Sequence, residues 1–169
     1  MKVFILNTVA NPTEETKVLL QGLKEKYTDA TVYNTYEMDI KHCIGCNFCW
    51  LKTPGICTIK DDYETILKAM LVHDEMIVIS DTNLGFITHE AKKLFDRVLP
   101  LATMYLQFID GQMRHVSRYN NHLKVALLYQ GDGDREYLNY WLKRATLNME
   151  WESLGAYHAG TDKEVLACI

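Results

Sequence analysis
The sequence predicts an α/β fold in three layers, a parallel β-sheet with helices on both faces. Two observations carry that prediction. Short apolar runs recur without the polar alternation of a half-exposed strand, as expected for strands buried on both sides. Between them lie stretches with helical periodicity, so each strand is followed by a crossover. Lys2–Asn7 is the first buried strand. Asn11-Pro12-Thr13 then interrupts the chain, and Thr13 is a suitable N-cap with Glu14 and Glu15 in the first helical turn. Val18, Leu19 and Leu23 mark one face of a helix from about Thr13 to Tyr27. Ala30–Tyr36 alternates β-branched and aromatic residues and reads as a second strand. A cysteine-rich loop runs from Lys41 to Lys60. Asp61-Asp62 opens a second helix with Ile66, Leu67, Met70 and Leu71 facing inward. Met76–Ser80 is a third buried strand, Asp81–Thr88 a polar loop around Gly85, and His89–Leu101 a third helix. The stretch 103–121 reads as an irregular excursion with a turn at Asp110-Gly111. Lys124–Tyr129 is the fourth strand, Gly131–Asp134 a flexible loop, Arg135–Met149 a helix, and Leu154–His158 the last strand.

Five strands in this succession suit the flavodoxin-like three-layer sandwich, a five-stranded parallel sheet of order 2-1-3-4-5. Such sheets bind ligands beyond the carboxyl ends of their strands, where the strand order reverses. The loops Thr8–Thr13, Asp81–Thr88 and Gln130–Asp134 reach that edge, and the cysteine loop after strand two is expected there too.

At 169 residues with 48% hydrophobic and 24% charged side chains, the composition is that of a single globular domain, residues 1–169, with room for a substantial core. A net charge of −4 argues against nucleic acid as a partner, because the phosphate backbone selects a basic surface. No apolar run reaches the length of a membrane span. The N-terminus reads as a strand and not as a signal peptide. A cytoplasmic location follows as the expectation, and reduced thiols there point to metal or redox work.

Cys43, Cys46, Cys49 and Cys57 form the run C-x2-C-x2-C-x7-C. The tight gaps match the start of the bacterial ferredoxin ligand run, and four thiolates are a full set for a [4Fe-4S] cluster. Thiols without a cluster, a zinc site and a disulfide are the other readings of the same spacing. Cys168 stands apart and reads as a bystander.

The segment CIGCNFCWLKTPGICTIKDD, followed by SDTNLGFITHEAKKLFDRVLP, resembles the NADPH-dependent FMN reductase family, and within it the iron–sulfur flavoprotein branch. The similarity rests on the cysteine block, the Asp61-Asp62 pair and the helix ending in Phe95-Asp96-Arg97. It covers roughly Met1 to Pro100 well and the rest more loosely. It implies an NAD(P)H-dependent flavin oxidoreductase with non-covalent FMN, a flavodoxin-like fold, a [4Fe-4S] cluster near the flavin, and a homo-oligomer that completes the site across subunits. The electron acceptor is unknown. A flavodoxin-like electron carrier, or a binding module with weakened FMN affinity, is the alternative.

The family's first loop, G-S-P-R-x-x-x-N-T, is replaced by Thr8-Val9-Ala10-Asn11-Pro12-Thr13-Glu14-Glu15-Thr16. Thr8, Asn11, Thr13 and Thr16 are the remaining side-chain candidates for a flavin phosphate, together with the amides of the helix N-terminus. Glu14 and Glu15 would repel a phosphate that they faced. In the second loop, Leu84 and Phe86 are candidates for packing on the flavin ring and Thr82 and Asn83 for bonding its polar edge; Gly85 there and Gly131 in the third loop are further cofactor-binding candidates. No side chain stands out as a general acid or base, so the catalytic residues are unknown. His42 reads as a surface residue or a donor to a cluster sulfur. Trp50 reads as a packing residue or a cover for the cluster. Arg114, His115, Arg118 and Tyr119 read as an interface segment or as contacts to a nicotinamide phosphate. Asp61 and Asp62 are explained by the helix N-terminus that they precede.

Overall fold
The computed structural model of the protein describes residues 1–162 and 165–169. Strand β1 (Val3–Asn7) leads to helix α1 (Glu14–Lys26), strand β2 (Thr31–Asn34) and the cysteine loop, which contains the single turn α2 (Phe48–Leu51). Helix α3 (Tyr63–Val72), strands β3 (Glu75–Asn83) and β4 (Phe86–Ile87), and helix α4 (His89–Asp96) follow. Strands β5 (Ala102–Ile109), β6 (Gln112–Ser117) and β7 (Lys124–Gln130), helix α5 (Arg135–Asn148), strand β8 (Glu152–His158) and the short α6 (Val165–Cys168) complete the chain. The main sheet has the order β2-β1-β3-β7-β8, and every pairing along that path is parallel. This is the 2-1-3-4-5 order, because β7 and β8 are the fourth and fifth parallel strands.

The period of two within the strands divides the core. Phe4, Leu6, Met76, Val78 and Leu127 pack under α3, α4 and α5 with Ile66, Met70, Leu94, Leu138 and Leu142. Ile5, Ile77, Ile79 and Leu128 face the opposite layer with Leu19, Leu23 and Val165. All five residues of β1 are buried. Large apolar side chains of this kind each contribute roughly 1.5–3 kcal/mol on burial. At the start of α1 the Thr13 side chain accepts the Thr16 N–H, as the sequence predicts.

Two segments depart from expectation. Residues 103–121 are not irregular. They hold an antiparallel hairpin in which Phe108 faces Met113 and Ile109 faces Gln112, and Asp110 (φ 52°) and Gly111 (φ 72°) make the turn. The sequence carries no strand pattern here because Met104, Tyr105, Leu106, Phe108 and Met113 are all exposed, so no buried face imposes an alternation. The loop Asp81–Thr88 is also not a plain polar loop. Strand β3 runs on to Asn83 and β4 returns antiparallel on it.

Candidate functional site
The loops after β1, β3 and β7 meet at the carboxyl edge of the sheet, tied together by Gln130. The Gln130 side chain is buried. Its Oε1 accepts the Thr13 N–H at 2.9 Å, and its Nε2 donates to Asn11 O at 3.2 Å and to Asp81 Oδ1 at 2.6 Å. One amide therefore bridges the first loop and the second. The third loop is fastened to the second by Thr82, whose hydroxyl donates to Gln130 O at 2.8 Å and faces Asp132 Oδ1 at 3.3 Å. The Asp134 N–H donates to Gly85 O at 2.9 Å. Gly131 is required where it stands, because its φ is 92° and an added Cβ would lie 2.7 Å from the Thr82 hydroxyl.

The predicted phosphate partners are largely occupied by the protein itself. Thr8 is buried, and its hydroxyl donates to Ile79 O at 2.9 Å. The Thr16 side chain is turned inward at 0% exposure and pairs with the Thr13 hydroxyl at 3.2 Å. Both are corrections to their assignment as free donors: a threonine at a strand end or on the buried face of a helix satisfies its hydroxyl locally. Thr13 and Asn11 remain at the surface. Glu15 bends back over its own N–H and the Thr13 hydroxyl. Those hydrogen bonds, with a smaller attraction from His158, hold its carboxyl below the ordinary value. The chain's own carboxylate thus stands at the helix N-terminus that would receive a phosphate. Glu15 would have to swing away before a phosphate could meet these donors.

The ring-packing candidates also divide. Leu84 (φ 52°) and Gly85 (φ 78°) form the two-residue turn between β3 and β4, and Leu84 is 91% exposed at its tip. Asn83 is exposed beside it. Phe86 is partly buried and packs mainly within the protein. The reversal at β4 points its ring into α5, 5.0 Å from the Trp141 ring and 5.5 Å from that of Tyr137.

The second element of the site is the cysteine loop. Cys43, Cys46, Cys49 and Cys57 line one cavity with Arg97, Leu99 and Pro100. Burial pushes the Cys49 thiol up, and its three neighbours Cys57, Cys43 and Cys46 push it in the same direction. Among the described residues no group of three or more Cys, His, Asp or Glu side chains is placed to hold a metal ion. The donor chemistry suits an iron–sulfur cluster, but the enclosed space is only about 20 Å³. Seating a cluster therefore requires the loop to open outward. The side chain of Cys168 lies outside the described residues.

The loop is closed by a clamp that the sequence did not announce. Asp61 and Arg97 form an ion pair in which both side chains are 1% exposed. Arg97 also donates to Lys41 O at 2.9 Å and to Cys57 Sγ at 3.5 Å, and its guanidinium stacks 4.5 Å over the Tyr63 ring. Burial pushes the Asp61 carboxyl up, but Arg97 and the N–H groups of Lys41 and Tyr63 outweigh it and leave the carboxyl below the ordinary value. Asp61 does touch the start of α3 through the Tyr63 N–H at 3.2 Å, but its main partner is Arg97. Asp62 closes the loop in another way, accepting the Asp39 N–H at 2.8 Å. Trp50 donates to Leu99 O at 2.8 Å, with its ring 5.1 Å from that of His115. His42 stacks on His89 at 5.9 Å. Arg118 is committed to Pro100 O and Ala102 O, so it is not free for a nicotinamide phosphate. Beyond Cys57 a second cavity of about 340 Å³ is lined by Ile56, Ile59, Leu67, Leu101 and Tyr119, with Lys60 and Lys68 among its polar groups.

Known proteins share the fold and part of the sequence. An iron–sulfur flavoprotein of Methanocaldococcus jannaschii is 32% identical over 105 residues, 60% of this chain and 53% of that protein. An iron–sulfur flavoprotein of Archaeoglobus fulgidus is 32% identical over 81 residues, 48% of this chain and 39% of that protein. Among solved structures, RosB with bound 8-demethyl-8-formylriboflavin-5′-phosphate superposes with a TM-score of 0.63 at 17% identity, over 99% of this chain and 71% of its own. The chain shares the flavodoxin-like fold of this structure and is similar, over part of its length, to two iron–sulfur flavoproteins. The NAD(P)H:quinone oxidoreductase of Methanothermobacter marburgensis, with a TM-score of 0.60 at 14% identity over 96% of this chain and 90% of its own, shares the fold. No family model matches the chain. The aligned regions span about half or less of the two flavoproteins' lengths.

Proposed function
We propose that the protein is an NAD(P)H-dependent flavin oxidoreductase, with FMN at the carboxyl edge of the sheet and a [4Fe-4S] cluster on Cys43, Cys46, Cys49 and Cys57. The observation that carries this reading is the convergence of four cysteines in ferredoxin-like spacing on one cavity, in a flavodoxin-like sheet related to named iron–sulfur flavoproteins. The flavin would supply hydride acceptance, and the cluster single-electron transfer to an acceptor not yet identified. The chain's own part is to position. Gln130 and Thr82 hold the three edge loops in register. Thr13, Asn11 and the first amides of α1 would meet the phosphate after Glu15 moves aside. Asn83, Leu84 and Gly85 would lie nearest the ring at the tip of the β3–β4 turn, with Gly131 allowing close approach from the third loop.

The exposed apolar face of the β5–β6 hairpin supports a homo-oligomer in which residues 103–121 meet a second copy. No described helix is long and apolar enough to cross a membrane, and we place the enzyme in the cytoplasm, where these thiols stay reduced. The self-filled phosphate seat favours a second reading, an electron carrier or binding module with weakened FMN affinity.

The test is anaerobic purification, a visible spectrum and turnover with NADH and NADPH. The expected result is flavin bands with the broad brown absorbance of a cluster, together with nicotinamide oxidation. Cofactors without turnover would establish the carrier. Absence of both chromophores after reconstitution would establish the module.

A further inference from the structure
We infer that Arg97 is a positioning residue of the cysteine site, holding Cys57 in place and supplying the positive charge that sets the reduction potential of a cluster bound there. The inference rests on the cluster reading proposed above and adds a residue with a defined electrostatic task.

Arg97 lines the same cavity as the four cysteines and is 2% exposed. A guanidinium carries five N–H donors and no acceptor. The two terminal nitrogens are engaged with Asp61, with Lys41 O and with Cys57 Sγ at 3.5 Å. Nε is buried without a hydrogen-bond partner in the protein. A fork clamped bidentately by a carboxylate is fixed in direction, so in the closed loop the donor facing Cys57 is aimed at its sulfur, and Cys57 keeps this contact while the rest of the loop opens to seat a cluster. A loop closure alone needs neither a cation directed at a sulfur nor an unspent buried donor, since leaving one unpaired costs stability.

A thiolate-bound cluster is anionic, and it becomes more so when it gains an electron. Positive charge and N–H···S hydrogen bonds at its sulfurs favour the reduced state and raise the potential. Asp61 works in the opposite direction. Its carboxylate fixes the guanidinium and offsets part of its field. The two members of one buried pair therefore have opposite electrostatic effects on the cysteines while sharing a single structural task.

That opposition gives a test with a readout other than turnover. The full-length chain and its Arg97→Gln and Asp61→Asn variants are reconstituted anaerobically with iron and sulfide. Iron and sulfide are counted, and the midpoint potential is read by dye-mediated titration followed by electron paramagnetic resonance. The expected result is that all three load, with the potential of Arg97→Gln below wild type and that of Asp61→Asn above it. Shifts in the same direction, or none, would leave Arg97 a structural tie and overturn the inference while sparing the cluster reading. A wild-type chain that takes up no iron overturns the cluster reading and this inference together. If Arg97→Gln does not fold, Asp61→Asn and Arg97→Lys decide the sign. An upward shift in the first and a downward shift in the second, where the aimed fork is lost, support the inference. Any other pair of shifts refutes it.

Discussion

The adjacent carboxylates Asp61 and Asp62 are chemically alike, but the structure assigns them very different energetic weights. Asp61 accepts both terminal nitrogens of Arg97, and both side chains are 1% exposed. It also accepts the N–H groups of Lys41 and Tyr63 at 2.8 and 3.2 Å. Replacing Asp61 by alanine strands a guanidinium beneath the cysteine loop and leaves two backbone donors to find new partners. Removing one member of a buried pair costs about 3–5 kcal/mol. In a chain of this length that corresponds to a melting temperature lower by roughly 6–20 °C. Asp62 is exposed and accepts the Asp39 N–H at 2.8 Å. Its replacement by alanine removes one ordinary hydrogen bond and costs about 0.5–1.5 kcal/mol. Urea denaturation of the reduced apoprotein, followed by far-ultraviolet circular dichroism, measures both. The expected gap between the variants is at least about 1.5 kcal/mol by these magnitudes. Variants that agree within about 1 kcal/mol would refute the clamp as a stabilising element of the fold.

Glu15→Gln removes the carboxylate at the phosphate seat and keeps the helix. Fluorescence titration should show FMN affinity rising several-fold while riboflavin affinity stays constant, and equal changes for the two flavins would show that the carboxylate does not compete with phosphate. Glu75 is 3% exposed, and its carboxyl is raised by burial. A raised carboxyl contributes stability at pH values below its unfolded pKa and loses it as pH climbs through the folded value. Glu75→Gln should therefore stabilise the protein in thermal melts at pH 8 and give no gain at pH 4; a gain independent of pH would contradict the assignment. Phe108→Asp, at a side chain 73% exposed on the hairpin, should reduce the mass seen by light scattering to that of a monomer without lowering the melting temperature of the fold; an unchanged assembly would place the subunit contact elsewhere.

The parallel sheet was legible because its signal is local. Val3–Asn7, Met76–Ile79 and Val125–Tyr129 are buried on both faces, and a strand buried on both faces shows its whole length as an apolar run. The β5–β6 hairpin gave no such signal, since its apolar side chains face outward and the core does not constrain them. The β3–β4 turn was partly legible through Gly85. Its other central residue, Leu84, also has a positive φ. Leucine is not a residue whose presence announces that conformation, so the return of Phe86 toward Trp141 stayed hidden.

The same distinction between local and distant information runs through the candidate site. Cysteine spacing is a local code, and three of the four cysteines fall within seven residues, so the gathering of thiols at one cavity could be anticipated. The contacts that organise the site join positions far apart. Asp61 and Arg97 are separated by 36 residues, and Thr13 and Gln130 by 117. Asp61 shows why a correct local rule can conceal a larger role. It does accept the Tyr63 N–H, as an acidic residue before a helix should, and that sufficient explanation gave no reason to seek Arg97. Glu15 shows the converse. Its type and position were known to oppose a phosphate, but the outcome depends on which way one exposed side chain turns. In the folded chain it turns back onto Thr13 and its own N–H, where the first helical turn offers a carboxylate the same donors that it would offer a phosphate. A glutamate at that position can therefore stand in for the ligand as well as repel it.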